Sequence, residues 1–94
     1  MIEWTAQAAG QLDQADDYMA INNSEEIAAR IAMQVVTSIQ RLEAFPMSGR
    51  AGRVQGTREL VIARTPFIAA YAMDRNRIVI LALYHGAQPW PKQF

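Results

Sequence analysis

The 94-residue chain contains no cysteine, one histidine and one lysine. Without cysteine there can be no disulfide framework, thiolate metal site or thiol nucleophile, as suits a reducing compartment. A lone histidine with no carboxylates at ligand spacing gives no metal signature, so neither metal nor cofactor is expected. Long hydrophobic runs are also missing. The two longest, residues 67–73 and 78–84, fall well short of the about 20 apolar residues that span a bilayer. Glu3 sits where a secretory leader carries positive charge. Repeats, linkers and low-complexity tracts are absent, and the length allows one core. These absences predict a single soluble domain, residues 1–94, in the cytoplasm. With 51% apolar and 19% charged residues, the composition is that of an ordered globular fold.

Net charge is zero, but the sign is unevenly distributed. Residues 1–45 carry seven acidic and two basic side chains, and residues 46–94 carry seven basic and two acidic. Eight of the nine basic residues are arginine, whose fork fits carboxylates and phosphates. Three of them, Arg50, Arg53 and Arg58, share the bend "PMSGRAGRVQGTRELV" with Gly49, Gly52 and Gly56. Such an asymmetry predicts a partner that meets the C-terminal half.

Periodicity divides the chain into six elements. Ile2 and Trp4 alternate in a short first strand, Met1–Thr5. Thr5 is placed to cap a helix running to about Ile21, with Ala8, Leu12, Ala15 and Met19 on one side and Asp13, Asp16 and Asp17 largely on the other. Asn23, with Glu26 three residues on, predicts a capping box for a second helix. Its stripe of Ile27, Ile31, Val35, Ile39 and Leu42 continues as far as Phe45, where Pro46 stops it. Beyond the bend, the pattern becomes extended over Arg58–Arg64, Phe67–Met73 and Ile78–Tyr84, with Asn76 suited to a left-handed turn position. The predicted fold class is α+β, ordered β-α-α-β-β-β, with a helical hairpin packed on a small, mainly antiparallel sheet.

Few residues suggest catalysis. His85, the one imidazole, suits a general acid or base, and it equally suits a structural role at a strand end. Ser24, Ser38 and Ser48 lack a nucleophile-elbow setting, and no Gly-Lys-Ser/Thr follows the glycines to make a phosphate loop. The remaining candidates are Arg50, Arg53, Arg58, Arg64, Arg75 and Arg77 as a docking set for acidic peptide or phosphate. Trp90, between two prolines, serves either as a plug on the sheet or as an anchor for a partner.

The order and spacing of "IEWT", "YMAINN", "PMSGR", "GTRELV", "PFIAAYAM" and "RIVILALYHGAQPWP" resemble the ParE branch of the RelE/ParE toxin superfamily over nearly the whole chain. The resemblance implies the toxin of a bacterial type II toxin–antitoxin pair, held in a hetero-oligomer by an antitoxin whose C-terminal segment wraps it; Arg50, Arg53 and Arg58 then offer forks either to the fold's own acidic residues or to that antitoxin. ParE-like toxins are associated with DNA gyrase. The RelE branch cleaves messenger RNA on the ribosome with basic residues on the middle strands and an arginine opening the tail. The matching positions here are Glu59, Val61, Ile68 and Gln88, none able to stabilise a phosphorane. The resemblance therefore implies a non-enzymatic, gyrase-binding toxin. A nuclease centred on His85 and Arg64, and a non-toxic binding module, are the alternatives. Gln88 and the zero net charge depart from the branch, where arginine and a basic chain are usual.

Overall fold

A computed structural model describes residues 1–86. The elements run β1 (Ile2–Trp4), α1 (Ala6–Asn22), α2 (Glu25–Gln40), a single 3-10 turn (Arg41–Glu43), β2 (Arg50–Ala51), β3 (Arg58–Val61), β4 (Phe67–Asp74) and β5 (Arg77–His85). The strands form one sheet in the order β1-β5-β4-β3-β2. Every neighbouring pair is antiparallel except β1 with β5, which run parallel from Ile2 opposite Ile78 to Trp4 opposite Ile80. The helical hairpin and three further strands intervene between β1 and β5, and that long connection is what allows the parallel pairing.

Thr5 joins three elements. Its Oγ1 accepts the Ala8 N–H at 3.0 Å and so caps α1, while the hydroxyl donates to the Leu81 carbonyl at 3.2 Å. Its own N–H extends the β1 ladder to the Ile80 carbonyl at 3.1 Å. The start of α2 departs from the sequence expectation. Ser24 caps it, with Oγ accepting the Ile27 N–H at 3.2 Å. Asn23 instead closes α1, in extended conformation, with its N–H on the Met19 carbonyl. With so short a link between the helices, one residue cannot serve both ends. The cap moves one position, and Glu26 falls outside the box spacing.

The helices cover one face of the sheet. Ala8, Leu12, Ala15 and Met19 of α1, with Ile31, Val35 and Ile39 of α2, pack on Phe67, Ala69, Tyr71, Ile80 and Leu83. Ile27, the first residue of the α2 stripe, overhangs this core and remains exposed. A smaller buried cluster of Ala70, Ala82 and Tyr84 lies on the opposite face, so β4 and β5 are apolar on both sides, as central strands are. A bulge at Ala70/Tyr71 shifts the β4–β5 register by one residue, from Ala70 opposite Ala82 to Tyr71 opposite Ile80.

Three further details differ from expectation. The two-residue strand β2 shows no periodicity by which a sequence could reveal it. β3 ends at Val61, because Ile62–Thr65 forms a turn in which the Thr65 N–H and hydroxyl both donate to the Ile62 carbonyl. At the β4–β5 hairpin the left-handed residue is Arg75 (φ 60°) and not Asn76. This is the sign pattern of a two-residue hairpin with positive φ at its first central position. Among the described residues, no helix is long and apolar enough to cross a membrane.

Candidate functional site

The arginine–glycine bend folds into a knot around one buried carboxylate. Glu59 is 2% exposed and lies opposite Arg50 across the β2–β3 pair. Its Oε1 accepts from Arg50 Nε at 3.2 Å and Nη2 at 3.0 Å, and its Oε2 accepts the Arg53 backbone N–H at 2.8 Å. Arg53 Nε stands 3.7 Å from Oε2, adding a second ion pair. Arg58 points to the same bend, with Nη1 donating to the Gly49 carbonyl at 2.6 Å. Gly49 is required by close approach. A Cβ there would meet the Tyr71 ring and hydroxyl at 2.6 Å, and the Gly49 N–H donates to that hydroxyl. The Tyr71 hydroxyl in turn donates to the Pro46 carbonyl at 2.8 Å, so a fully buried tyrosine anchors the start of the bend at two points.

The other candidates disperse. Arg77 bridges Glu3 on β1 and Asp74 on its own hairpin, at 3.1 and 2.7 Å. Hydrogen bonds to Asp74 and Glu3 raise its pKa, so it stays charged. Arg75 is exposed at the hairpin tip. Arg64 (φ 63°) sits at the β3–β4 turn at the other end of the sheet and lines a cleft of about 440 Å³ with Arg30, Ile31 and Gln34 of α2. Trp90 and Gln88 lie outside the described residues.

His85 is half-buried, edge-on to Phe67 with ring centroids 6.0 Å apart. It opens on a different cleft, about 390 Å³, bordered by Gln11, Gln14 and Tyr18 of α1. Gln11 Oε1 there accepts the Leu83 N–H at 2.8 Å. His85 and Arg64 therefore share one end of the sheet but line separate clefts. Tyr84, the other residue with an acid–base side chain here, packs on the opposite face by the alternation of the strand. On that face Glu59 pairs with Ala70 and Val61 with Ile68, which gives a carboxylate and alkyl groups at the positions matched to nuclease cations. The acidic triad of α1 is exposed. Asp16 has its pKa raised, first by partial burial and then by Asp13 and Asp17. No group of three or more potential metal ligands is found among the described residues.

Sequence reasoning missed Arg30. It belongs to the acidic half of the chain, and no local pattern signals that it faces Arg64, 34 positions further on.

The helical hairpin laid on a five-stranded mixed sheet gives this chain the architecture of a small RelE/ParE-type protein. Residues 2–90 match the family described as "ParE toxin of type II toxin-antitoxin system, parDE". The chain is 37% identical over 91 residues to "Putative toxin Y4kP" of Sinorhizobium fredii (strain NBRC 101917 / NGR234), covering 97% of this chain and 93% of that protein. Its fold superposes with a TM-score of 0.82 on a chain from the structure "Chromosomal ParDE TA system from P. aeruginosa", at 29% identity and covering 89% of this chain and 92% of that one. This chain belongs to the ParE toxin family of type II toxin–antitoxin systems.

Proposed function

We propose that this ParE-family toxin acts by binding DNA gyrase, without catalysis, and that a cognate antitoxin neutralises it in a hetero-oligomer. The observation that carries the non-enzymatic reading is Glu59. It occupies a position where RNA-cleaving relatives place a cation, and it draws Arg50 and Arg53 onto its own oxygens. Cleaving RNA through 2′-hydroxyl attack calls for positive charge at the phosphate and proton donors and acceptors converging on one atom. Here the nearest cations are committed to an internal carboxylate, and His85 and Arg64 line different clefts. The partner reading is supported by the family match and by the fold's likeness to a chain of a ParDE system.

Titrating purified protein into a gyrase supercoiling reaction tests the reading. Inhibition with accumulation of cleaved DNA, and intact transcripts on translating ribosomes, is expected. Unchanged supercoiling at saturating protein refutes the gyrase target, and codon-positioned transcript cuts refute the non-enzymatic reading.

A further inference from the structure

Three arginines pair with carboxylates of the chain itself: Arg50 and Arg53 take Glu59, and Arg77 takes Glu3 and Asp74. Arg30 and Arg64 do not. Both line the cleft between α2 and the β3–β4 turn, and neither side chain has a hydrogen bond or ion pair among the described residues. Two like charges converging on one hollow with no counter-ion are electrostatically unbalanced, and a bound anion restores the balance.

The cleft is built, not incidental. Arg64 holds a left-handed conformation (φ 63°) that a long side chain seldom adopts. The turn enforces it through two bonds of the next residue: the Thr65 hydroxyl donates to the Ile62 carbonyl at 2.9 Å and accepts the Phe67 N–H at 3.1 Å. Position is thereby fixed from the backbone outward. Across from it, Arg30 and Gln34 are one helical turn apart and offer parallel polar groups. The floor is apolar. Ile31 lines the cleft, and Ile27, one turn earlier on the same helix face, is left exposed at the margin of the core.

The geometry points to a carboxylate-recognition subsite. An Asp or Glu of the antitoxin's toxin-wrapping segment is held between Arg30 and Arg64, with an adjoining apolar residue on Ile27 and Ile31. This rests on the partner reading above and gives it an address. A protein carboxylate suits the cleft better than nucleic-acid phosphate. Two cations over an isoleucine floor match one acidic side chain with an apolar neighbour, whereas a polyanion needs a row of cations.

The test uses the toxin, full length, and the small protein encoded by the adjoining reading frame, with calorimetric titration at low and high salt. Arg30→Gln keeps helix propensity and Arg64→Gly removes the left-handed strain, so both variants should melt no lower than wild type. Each single substitution is expected to weaken antitoxin binding about 10-fold and the pair about 100-fold, with a flatter salt dependence; Arg41→Gln, an exposed arginine in the 3-10 turn beyond the far end of α2, should change it less than about twofold. Equal, tight binding by wild type and Arg30→Gln/Arg64→Gly overturns the subsite and leaves the partner reading standing. No binding by wild type overturns both. Loss of duplex-DNA binding in the double variant, with antitoxin binding intact, reassigns the cleft to phosphate and overturns the inference.

Discussion

Replacing Glu59 with glutamine tests whether the arginine bend is held from within. The substitution keeps shape and removes charge. Glu59 is buried on the sheet and both its oxygens accept, Oε1 from Arg50 and Oε2 from the Arg53 N–H. A carboxamide has one accepting end, so whichever way the new side chain turns, its NH2 group meets a donor. Losing charge-assisted bonds and opposing two donors in a buried site costs about 2–3 kcal/mol. The cost stays below that of a fully buried pair because the Arg50 and Arg53 side chains are 55% and 49% exposed and rehydrate. For a domain of this length the loss lowers the melting temperature by roughly 10–20 °C. Thermal melting followed by circular dichroism measures it, and hydrogen exchange over residues 49–55 should accelerate as the bend loosens. Arg50→Ala should give a comparable loss, since it strands the same carboxylate. If Glu59→Gln melts within about 2 °C of wild type, the knot is not a structural device. Arg50 and Arg53 would then return to the set of outward-facing binding residues.

Gly49→Ala should lower stability by about 1–3 kcal/mol by pushing its new methyl into the Tyr71 ring, measured by urea unfolding. Gly10→Ala should do the opposite. Nothing lies within 4 Å of a Cβ at Gly10, so the gain of about 1 kcal/mol in helix propensity comes free of any clash. Arg75→Gly should raise the melting temperature by relieving a left-handed residue at the hairpin tip, a gain of up to about 1 kcal/mol. Asp16 binds its proton more tightly folded than unfolded, so its contribution to stability is fully present below the ordinary aspartate value of 3.8 and is lost as pH rises through its raised folded pKa. Asp16→Asn should therefore melt above wild type at pH 7, and the gap should close near pH 3.5; a gap that widens on acidification refutes the assignment.

The elements that were legible in the sequence are those whose signal is local and repeated. The α1 stripe of Ala8, Leu12, Ala15 and Met19 packs as its spacing requires, and the two-sided apolar runs became the central strands β4 and β5. Misplaced features were settled by competition between neighbours. Asn23 is as good a cap as Ser24 in isolation, and only the need to finish α1 decides between them. Asn76 is the better left-handed residue by propensity, yet the hairpin's twist sets positive φ one position earlier, where arginine happens to sit. The functional surface was least legible. The bend's arginines read equally as forks for the chain's own acidic residues or for a partner, and only the β2–β3 pairing decides that Glu59 takes Arg50 and Arg53; the Arg30–Arg64 pairing exists only once α2 is laid beside the β3–β4 turn.

The folded chain also explains what becomes of the charge imbalance between its halves. Part of it is discharged at the seam between β1 and β5, where Arg77 of the basic half meets Glu3 of the acidic half. Arg50 and Arg53 share Glu59, and Arg58 takes a backbone carbonyl. Among the described residues of the basic half, that leaves the Arg64 and Arg75 side chains without a hydrogen bond or ion pair, and these are also the only two non-glycine residues described with positive φ. A left-handed arginine is thus not in itself a mark of function, since Arg75 has the same backbone and stands at an exposed tip with no polar partner. What separates them is the opposing wall. Arg64 faces a second unpaired arginine across an isoleucine, and Arg75 faces solvent. Strain at both sites should be relieved equally by glycine, so any difference between Arg64→Gly and Arg75→Gly in antitoxin affinity reports the cleft and not the turn.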